Sequence, residues 1–447
     1  MSREEAHKIK KKRQLKMFCV TLGLVLGIGG AGLFALWIAG GGVRTAGRHG
    51  GVNAAPVGEG TSSAAYEREI VLPAAGSRGV LQEAAAAEAS ATLCGTPEAG
   101  GIAAEMASAV PLGSGFSPEH RYIVETKVPE EVTLGFVGDI LLDPEYSIYK
   151  TYVERGCVPE ACVEPQLIEE LRSVDVLTVN NEFPYSDRGE AQEGKTFTFR
   201  ASPASVSILK ELGADLASVA NNHAFDYGEE AFCDTLTTLA GAGIPYLGAG
   251  KDIEEAMTPV VLYAAGMKIG IVASTQIERQ GAPDSLAATE DRPGMLRSWP
   301  AIDPTLEAIR RADEECDIVI LFIHWGTESE PGIDWCQEEQ LPQFIKAGAD
   351  VIIGAHPHIL QKIEWKGDVP VIYSIGNFWF SSKSVDSCVI ELTLAEGNIK
   401  ELRFVPCRQH NCGVGMLRGE EAERLLNDMR WISPTVSIDG DGVITPR

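Results

Sequence analysis

Residues 132–139 read VTLGFVGD, a short apolar run that ends in a glycine and an aspartate. Six further apolar runs follow along the chain, and amphipathic stretches such as SPASVSILKELG (202–213) separate them. Near-continuous apolar strands that alternate with helices are typical of an α/β sheet covered on both faces. We therefore predict one large α/β domain over residues 131–410. The six runs are DVLTVNNE (175–182), DLASVANNH (215–223), MKIGIVAST (267–275), DIVILFIHWG (317–326), ADVIIGAHPH (349–358) and VPVIYSIGNF (369–378).

Five of the strand-like runs end in side chains that commonly bind metals. Ligands of such sheets bind at the carboxyl ends of the strands, so we expect these groups to lie close together. Each group alone says little, because Gly-Asp and Asn-Asn-His also make ordinary turns. Their repetition at the same end of successive strands is what favours a site. The groups are Asp139, Glu182, Asn222 with His223, His324 with Glu328, and His356 with His358.

The chemistry of these side chains restricts the cofactor. Imidazole, carboxylate and amide ligands together suit the divalent transition metals Mn²⁺, Fe²⁺ or Zn²⁺ better than Ca²⁺, which prefers oxygen ligands throughout. We expect one or two ions, since two ions about 3.5–4 Å apart clamp a phosphate-like oxyanion and generate a hydroxide nucleophile. His223 is the candidate to protonate a leaving group, and Asp226 in the same loop is placed to orient its ring.

The ordered series VGD, NNE, NNHAFDYG, HWGTE, GAHPHILQ and YSIGNF resembles the CapA (PgsA-type) poly-γ-glutamate capsule synthesis family over about residues 132–387. That family is similar in fold to the calcineurin-like metallophosphoesterases. The resemblance therefore implies a four-layer α/β/β/α sandwich with the site at the strand ends. It implies a catalytic role for His223, and metal-ligand roles for Asp139, Glu182, Asn222, His324, His356 and His358.

The chain departs from the phosphoesterase pattern at two positions. That pattern opens with Asp-x-His, whereas this chain reads DIL at 139–141, and Glu182 stands where the bridging aspartate is expected. We therefore expect fewer than two tightly held ions per chain, and phosphoesterase activity is left open. Three further residues, Glu328, Gln361 and Asn377, belong to the family's pattern, and we assign them no ligand role.

The N-terminus has the pattern of a membrane anchor. A basic tail (1–16) precedes residues 17–39, which carry no charge and, at about 1.5 Å per residue, are long enough to cross a hydrocarbon core of about 30 Å. Because basic flanks stay in the cytoplasm, we predict a single-pass anchor in the cell membrane with an extracytoplasmic C-terminal domain. The alternative is a signal peptide cleaved near residues 39–42, although the apolar region of such peptides is usually shorter.

Composition divides the rest of the chain. Residues 40–130 are rich in Gly, Ala, Ser and Glu and are predicted to be a low-complexity linker, while residues 411–447 are predicted to be a C-terminal tail. From residue 49 onward there are 29 basic and 61 acidic residues, a net charge of −32. An acidic body of this kind argues against nucleic-acid binding, which requires basic surface.

Nine of the ten cysteines follow the predicted anchor and would face an oxidising exterior. Two C-x4-C pairs, Cys157 with Cys162 and Cys407 with Cys412, are close enough in sequence to bridge locally. Buried free thiols are the alternative, which we prefer for Cys233, Cys316 and Cys388 because they lie inside apolar runs.

Three functions fit these observations. The first is a membrane-anchored CapA-like protein in the synthesis, export or attachment of an anionic capsule polymer, with capsule-synthesis membrane subunits as possible partners. The second is an envelope metal-dependent phosphoesterase or hydrolase that acts on a phosphoester-like substrate. The third is a non-catalytic scaffold that binds the polymer.

Overall fold

The computed structural model describes residues 106–278 and 286–447. The predicted cytoplasmic tail, the predicted membrane anchor and most of the predicted linker lie outside these residues. Within the described residues, no helix combines the length and apolar character needed to cross a membrane.

Twenty strands are described. They are β1 (Val110–Pro111), β2 (Arg121–Ile123), β3 (Glu131–Ile140), β4 (Val176–Asn181), β5 (Leu216–Ser218), β6 (Tyr246–Leu247), β7 (Ala249–Gly250), β8 (Val260–Ala264), β9 (Met267–Thr275), β10 (Gly294–Met295), β11 (Ile318–His324), β12 (Val351–Ala355), β13 (Ile363–Lys366), β14 (Val369–Ile372), β15 (Asn377–Trp379), β16 (Val385–Ala395), β17 (Asn398–His410), β18 (Gly413–Met416), β19 (Val436–Ile438) and β20 (Ile444–Pro446).

Eight α-helices and three short 3₁₀ turns connect the strands that the structure describes. The helices are α1 (Ser147–Glu154), α2 (Pro165–Leu171), α3 (Val206–Leu212), α4 (Gly228–Gly241), α5 (Ile253–Met257), α6 (Asp303–Glu315), α7 (Trp335–Ala347) and α8 (Gly419–Ile432). The 3₁₀ turns are η1 (Met106–Ser108), η2 (Pro159–Ala161) and η3 (Pro203–Ser205).

Most of the strands form two eight-stranded sheets. The first sheet has the order β1-β2-β8-β9-β11-β12-β14-β13, and the second has the order β18-β17-β16-β3-β4-β5-β6 with β15 paired to β3. Strands β9, β11 and β12 run parallel in the first sheet, as do β3, β4 and β5 in the second. In each sheet the carboxyl ends of these strands therefore meet at one edge.

Three apolar clusters bind the layers together. One lies between the sheets and includes Leu134 and Phe136 of β3 with Phe322 of β11, where the two phenylalanine rings are 6.0 Å apart. The second joins the β3–β5 region to helices α1–α4, and the third joins the β9–β12 region to helices α5–α7. The layer order is therefore helix, sheet, sheet, helix, and the predicted mixed α/β fold is confirmed.

The folded body extends beyond both ends of the predicted domain. Within the segment predicted as linker, β2 pairs with β8, and Tyr122 is fully buried. Within the segment predicted as tail, β18 extends the second sheet, and Leu425, Met429 and Ile438 join the cluster between the sheets. Burial of these apolar side chains is what attaches both segments to the sheets.

All eight described cysteines are free thiols, so the structure contains neither local bridge. Six of them are buried, Cys233 is half-buried and Cys157 is exposed. The β17–β18 hairpin explains why Cys407 and Cys412 do not form a disulfide bond. Cys407 lies opposite Met416 within the ladder, whereas Cys412 occupies the turn beyond the last pair, His410 and Gly413.

Candidate metal centre

Strand ends from both sheets bring the predicted site residues together. Asp139 lies near the end of β3 and Glu182 directly follows β4 in the second sheet, while His324 is the last residue of β11 in the first. The loop after β5 carries Asn222, His223 and Asp226, and the loop after β12 carries His356 and His358. All eight residues are predominantly buried.

The first group of potential ligands comprises Glu182, His324, His356 and Asn222. His324 Nε2 lies 3.0 Å from His356 Nδ1, 2.7 Å from Asn222 Oδ1 and 3.6 Å from Glu182 Oε1. Two oxygen donors and two imidazole nitrogens close to one another form a ligand set that suits a transition-metal ion.

The second group comprises Asp139, Glu182 and His358. His358 Nδ1 lies 2.9 Å from Asp139 Oδ2. The potential ligand atoms of Glu182, His324 and His356 all lie within 4.8 Å of one another, and so do those of Asp139, Glu182 and His358. Glu182 belongs to both groups. The arrangement is therefore two adjoining ligand sets with a common carboxylate.

The backbone around these residues is shaped for the site. His356 and His358 have positive φ angles of 98° and 59°, which non-glycine residues adopt rarely. Gly138 is required for another reason, because a Cβ atom there would lie 1.7 Å from the carbonyl oxygen of Gly376. This close approach allows β15 to pair with β3 beside Asp139.

Burial sets the charge state of the first group. It lowers the pKa of His324 and His356 well below the ordinary value, and neighbouring imidazoles add to the effect. Neutral imidazole is the form that binds metal, so these rings do not need to lose a proton first.

Glu182 shows that the residues fit a cation. Its side chain is fully buried, and Oε1 has no hydrogen-bond partner among the described residues. Burial raises the carboxyl pKa well above its ordinary value, and the neighbouring Asp139 raises it further. Because a buried carboxylate without a counter-charge is costly, a bound cation is the group that would stabilise its ionised form.

His358 differs from the other two histidine ligands. Burial opposes its protonation, but the hydrogen bond to Asp139 and the charges of Asp139 and Glu328 outweigh burial, so the pKa is raised. Negative potential from the carboxylates therefore dominates this half of the site. A positive ion at this position would replace the proton.

The predicted pair of His223 and Asp226 is present. His223 Nδ1 lies 2.6 Å from Asp226 Oδ2, while His223 Nε2 faces Glu182 Oε1 at 4.0 Å. Burial lowers the pKa of His223, and this effect exceeds the opposing influence of Asp226. The ring also stacks on Phe199 at 4.1 Å between centroids, so its orientation is fixed from two sides.

Lys195 joins this pair and was not predicted. Its Nζ donates to Asp226 Oδ1 at 2.7 Å and to the backbone oxygen of Asn222 at 2.6 Å, and its side chain is only 6% exposed. The residue lies in the loop segment GKTFTF (194–199), away from any strand end. Strand-end patterns therefore gave no signal for it.

Asn180 was also missed, although it stands within the NNE motif. Its Nδ2 donates to Asp139 Oδ1 at 2.7 Å and lies 3.3 Å from His324 Nδ1. The side chain therefore touches both ligand groups. The doubled asparagine before Glu182 was the available signal.

The fold and the ligand groups define a two-sheet α/β protein with a candidate metal centre at its strand ends. Residues 133–382, more than half of the chain, match the model of the family described as bacterial capsule synthesis protein PGA_cap. The chain belongs to this family.

Curated relatives agree with the family match. The PGA biosynthesis protein CapA of Bacillus subtilis (strain 168) is 28% identical over 294 residues, covering 64% of this chain and 74% of the relative. The capsule biosynthesis protein CapA of Bacillus anthracis is 29% identical, covering 63% and 69%. A probable polyglutamine synthesis accessory protein of Mycobacterium tuberculosis (strain ATCC 25618 / H37Rv) is 30% identical, covering 61% and 74%. The chain is therefore a CapA-like capsule synthesis accessory protein.

Proposed function

We propose that this chain is a metal-dependent, membrane-anchored CapA-like protein that acts outside the cell in the synthesis, export or attachment of an anionic polymer such as poly-γ-glutamate. The observation that carries metal dependence is the buried Glu182 carboxylate, which both ligand groups share and which has an unpartnered oxygen. The helix–sheet–sheet–helix order supports a calcineurin-like metallophosphoesterase sandwich as the fold that holds the centre.

An acidic protein that handles an acidic polymer needs local positive charge. From residue 49 onward the net charge is −32, so long-range attraction of a polycarboxylate is excluded. At 0.15 M salt the Debye length is about 8 Å, which weakens the repulsion without reversing it. A divalent ion in the cleft is the strongest available source of positive potential, because a bound ion dominates its local field.

The residues divide into three roles under this proposal. Asp139, Glu182, Asn222, His324, His356 and His358 would hold one or two ions of Mn²⁺, Fe²⁺ or Zn²⁺. A bound ion would supply Lewis acidity and a binding point for an anionic group. His223 would hold or donate a proton at Nε2, while Asp226 and Lys195 keep its ring in position.

A hydrolase of the metallophosphoesterase type is the second candidate function. The observation in its favour is the His223–Asp226 pair, since a scaffold that only binds polymer has no need of an oriented imidazole facing the ligand groups. Turnover of a generic phosphoester by metal-loaded protein, lost in His223→Ala, would support it. Absence of turnover in the presence of metal-dependent polymer binding would favour the binding role.

Binding of poly-γ-glutamate to the purified chain, with and without chelator, tests the main proposal. We expect binding to require metal, to weaken in His324→Ala or His356→Ala, and to be improved or little harmed by moderate salt. A basic polyanion-binding surface would show the opposite salt dependence. Equal affinity with and without chelator would remove the metal from the function.

The proposed location rests on the basic tail (1–16) and the uncharged residues 17–39. Protease added to intact cells should digest the body and leave a small membrane-bound fragment. A body that resists protease in intact cells but is cut after lysis would contradict the extracytoplasmic orientation.

A further inference from the structure

The ligand group of Asp139, Glu182 and His358 lacks the histidine that phosphoesterases have two residues after the first aspartate. That position is Leu141, whose side chain is 1% exposed and lies in the apolar cluster beneath helices α1–α4. Position 141 therefore supplies no ligand. The structure brings a different residue, Asn377 of β15, next to Asp139.

The pairing of β15 with β3 positions Asn377. These two strands run parallel, and Asn377 lies opposite Asp139 in the register. The Gly138–Gly376 approach keeps the strands close, and the Ser387 hydroxyl donates to the backbone oxygen of Asn377. Asn377 is 4% exposed, so its amide is held inside the cleft and not presented to solvent.

Two oxygen atoms approach one nitrogen atom here. His358 Nδ1 lies 2.8 Å from Asn377 Oδ1 and 2.9 Å from Asp139 Oδ2. A ring nitrogen carries at most one hydrogen, so it can donate a strong hydrogen bond to only one of the two oxygens. Ligands about 2.1 Å from one ion are about 3 Å apart when their bonds are at right angles. Both oxygens therefore lie at the distance from His358 Nδ1 that two ligands of a shared ion have.

We propose that Asn377 Oδ1 is a metal ligand that takes the place of the histidine absent at position 141. The second ligand group then comprises Asp139, Glu182, His358 and Asn377, and the centre holds two ions, in contrast to the expectation drawn from the Asp-x-His pattern. This inference rests on the metal-dependent function proposed above. Because two carboxylates and an amide oxygen outnumber the single imidazole, this half favours Mn²⁺ over softer ions.

Metal binding by the purified full-length chain loaded with Mn²⁺ tests the proposal. Elemental analysis should give two ions per wild-type chain, and electron paramagnetic resonance should show them magnetically coupled. Asn377→Ala should retain one ion and bind the other more than about 100-fold more weakly, which exceeds the usual effect of losing an outer hydrogen bond. Asn377→Asp, which keeps an oxygen ligand, should retain both ions and the coupled signal.

Ser387→Ala is the matched control, because it disturbs the support of β15 without removing a side-chain oxygen from the cleft. It should retain two ions. Two ions bound at wild-type affinity by Asn377→Ala would overturn the proposal, as would loss of one ion by a correctly folded Asn377→Asp. Should Asn377→Ala fail to fold, Asn377→Leu, which keeps a side chain of similar size without an oxygen, takes its place and should likewise retain only one tightly bound ion.

The same measurements separate this inference from the proposed function. A wild-type chain that holds one ion, lost in His356→Ala but unchanged in Asn377→Ala, would overturn the role of Asn377 and leave metal dependence intact. A wild-type chain that binds no ion at all would overturn both.

Discussion

Two buried glutamates, Glu182 in the candidate centre and Glu391 on β16, are alike in several respects. Burial is the largest cause of a raised carboxyl pKa in both, and each has one oxygen without a hydrogen-bond partner among the described residues. They differ in counter-charge. Arg403 lies opposite Glu391 in the β16–β17 register and donates to its Oε2 at 2.9 and 2.6 Å. Among the described residues, Glu182 Oε1 forms ion-pair contacts with the imidazoles of His223 at 4.0 Å and His324 at 3.6 Å.

This difference separates a structural carboxylate from a functional one. The hairpin supplies the cation for Glu391 within the same sheet, so the pair is complete when the chain has folded. Glu182 faces histidines with lowered pKa values, and the charge of Lys195 only partly offsets its raised pKa, so under the proposed function its counter-charge is a cation from solution. A raised carboxyl pKa alone therefore does not identify a functional site. It points to one when the carboxyl group lies at the carboxyl end of a strand and has no arginine or lysine as its ion-pair partner.

The largest effect should come from Glu182→Gln. The amide keeps the shape of the side chain but removes the carboxylate that both ligand groups share. We expect the affinity for each ion to fall by more than about 100-fold, with loss of metal-dependent polymer binding. Elemental analysis after dialysis measures this, and Glu391→Gln is the matched control, which should retain the wild-type metal content. Equal metal content in the two variants would mean that the comparison of the two glutamates has no functional meaning.

Lys195→Met extends the comparison to a third buried carboxylate. Asp226 is fully buried and has a permanent cation in Lys195, with a further hydrogen bond from the backbone nitrogen of Phe199 at 2.7 Å. Removing the ammonium leaves a buried carboxylate poorly compensated, so the free energy of unfolding should fall by about 3–5 kcal/mol. Urea unfolding measures the loss.

Metal content should distinguish Lys195→Met from Glu182→Gln. Lys195 contacts only the backbone oxygen of Asn222 within the ligand groups, so the folded variant should still bind metal. Loss of metal at unchanged stability would show that Lys195 acts on the ions and not on Asp226.

Arg403→Met should have a smaller effect. Glu391 and Glu170 would lose their shared guanidinium, but the Arg403 side chain is 31% exposed, so solvent compensates in part. We expect a loss of about 2–3 kcal/mol in the free energy of unfolding, with unchanged metal content. Adding Glu391→Gln to this variant should recover part of the loss, since it removes the unpaired charge. A double variant no more stable than the single one would mean that Arg403 stabilises through its packing.

Local patterns predicted much of the fold and the site. Apolar runs of five or more residues marked β3, β9, β11 and β12, and the polar residues that follow strands identified the ligand groups because parallel strands share an edge. The same reasoning failed where the decisive contact is non-local. Asn377 reaches Asp139 only because two glycines allow β15 to pair with β3, and Lys195 reaches Asp226 from an irregular loop.

The ends of the folded body were missed for a different reason. Strands β1 and β2 have two and three residues, too few for an alternating pattern, and they lie near a Gly- and Ala-rich stretch. The segment after residue 410 contains one amphipathic helix and short strands whose burial depends on the sheet already formed. Composition alone assigns such segments to a linker or a tail, because it does not show which surfaces of the folded sheets their apolar side chains can pack against.

The smallest predicted effect is the pH dependence contributed by Glu391. Burial, opposed by Arg403 and reinforced by Glu170, raises its pKa from 4.5 to about 7. Between these values the folded chain binds more protons at this residue than the unfolded chain does, so its contribution to stability falls as the pH rises through that window. From pH 5 to pH 8 the wild type should therefore lose roughly 1–2 kcal/mol of unfolding free energy relative to Glu391→Gln. Urea unfolding of both metal-loaded proteins at several pH values measures the difference. Parallel curves would show that Arg403 keeps Glu391 ionised throughout this pH range. Of the two carboxylates, only Glu182 would then lack a counter-charge within the folded chain.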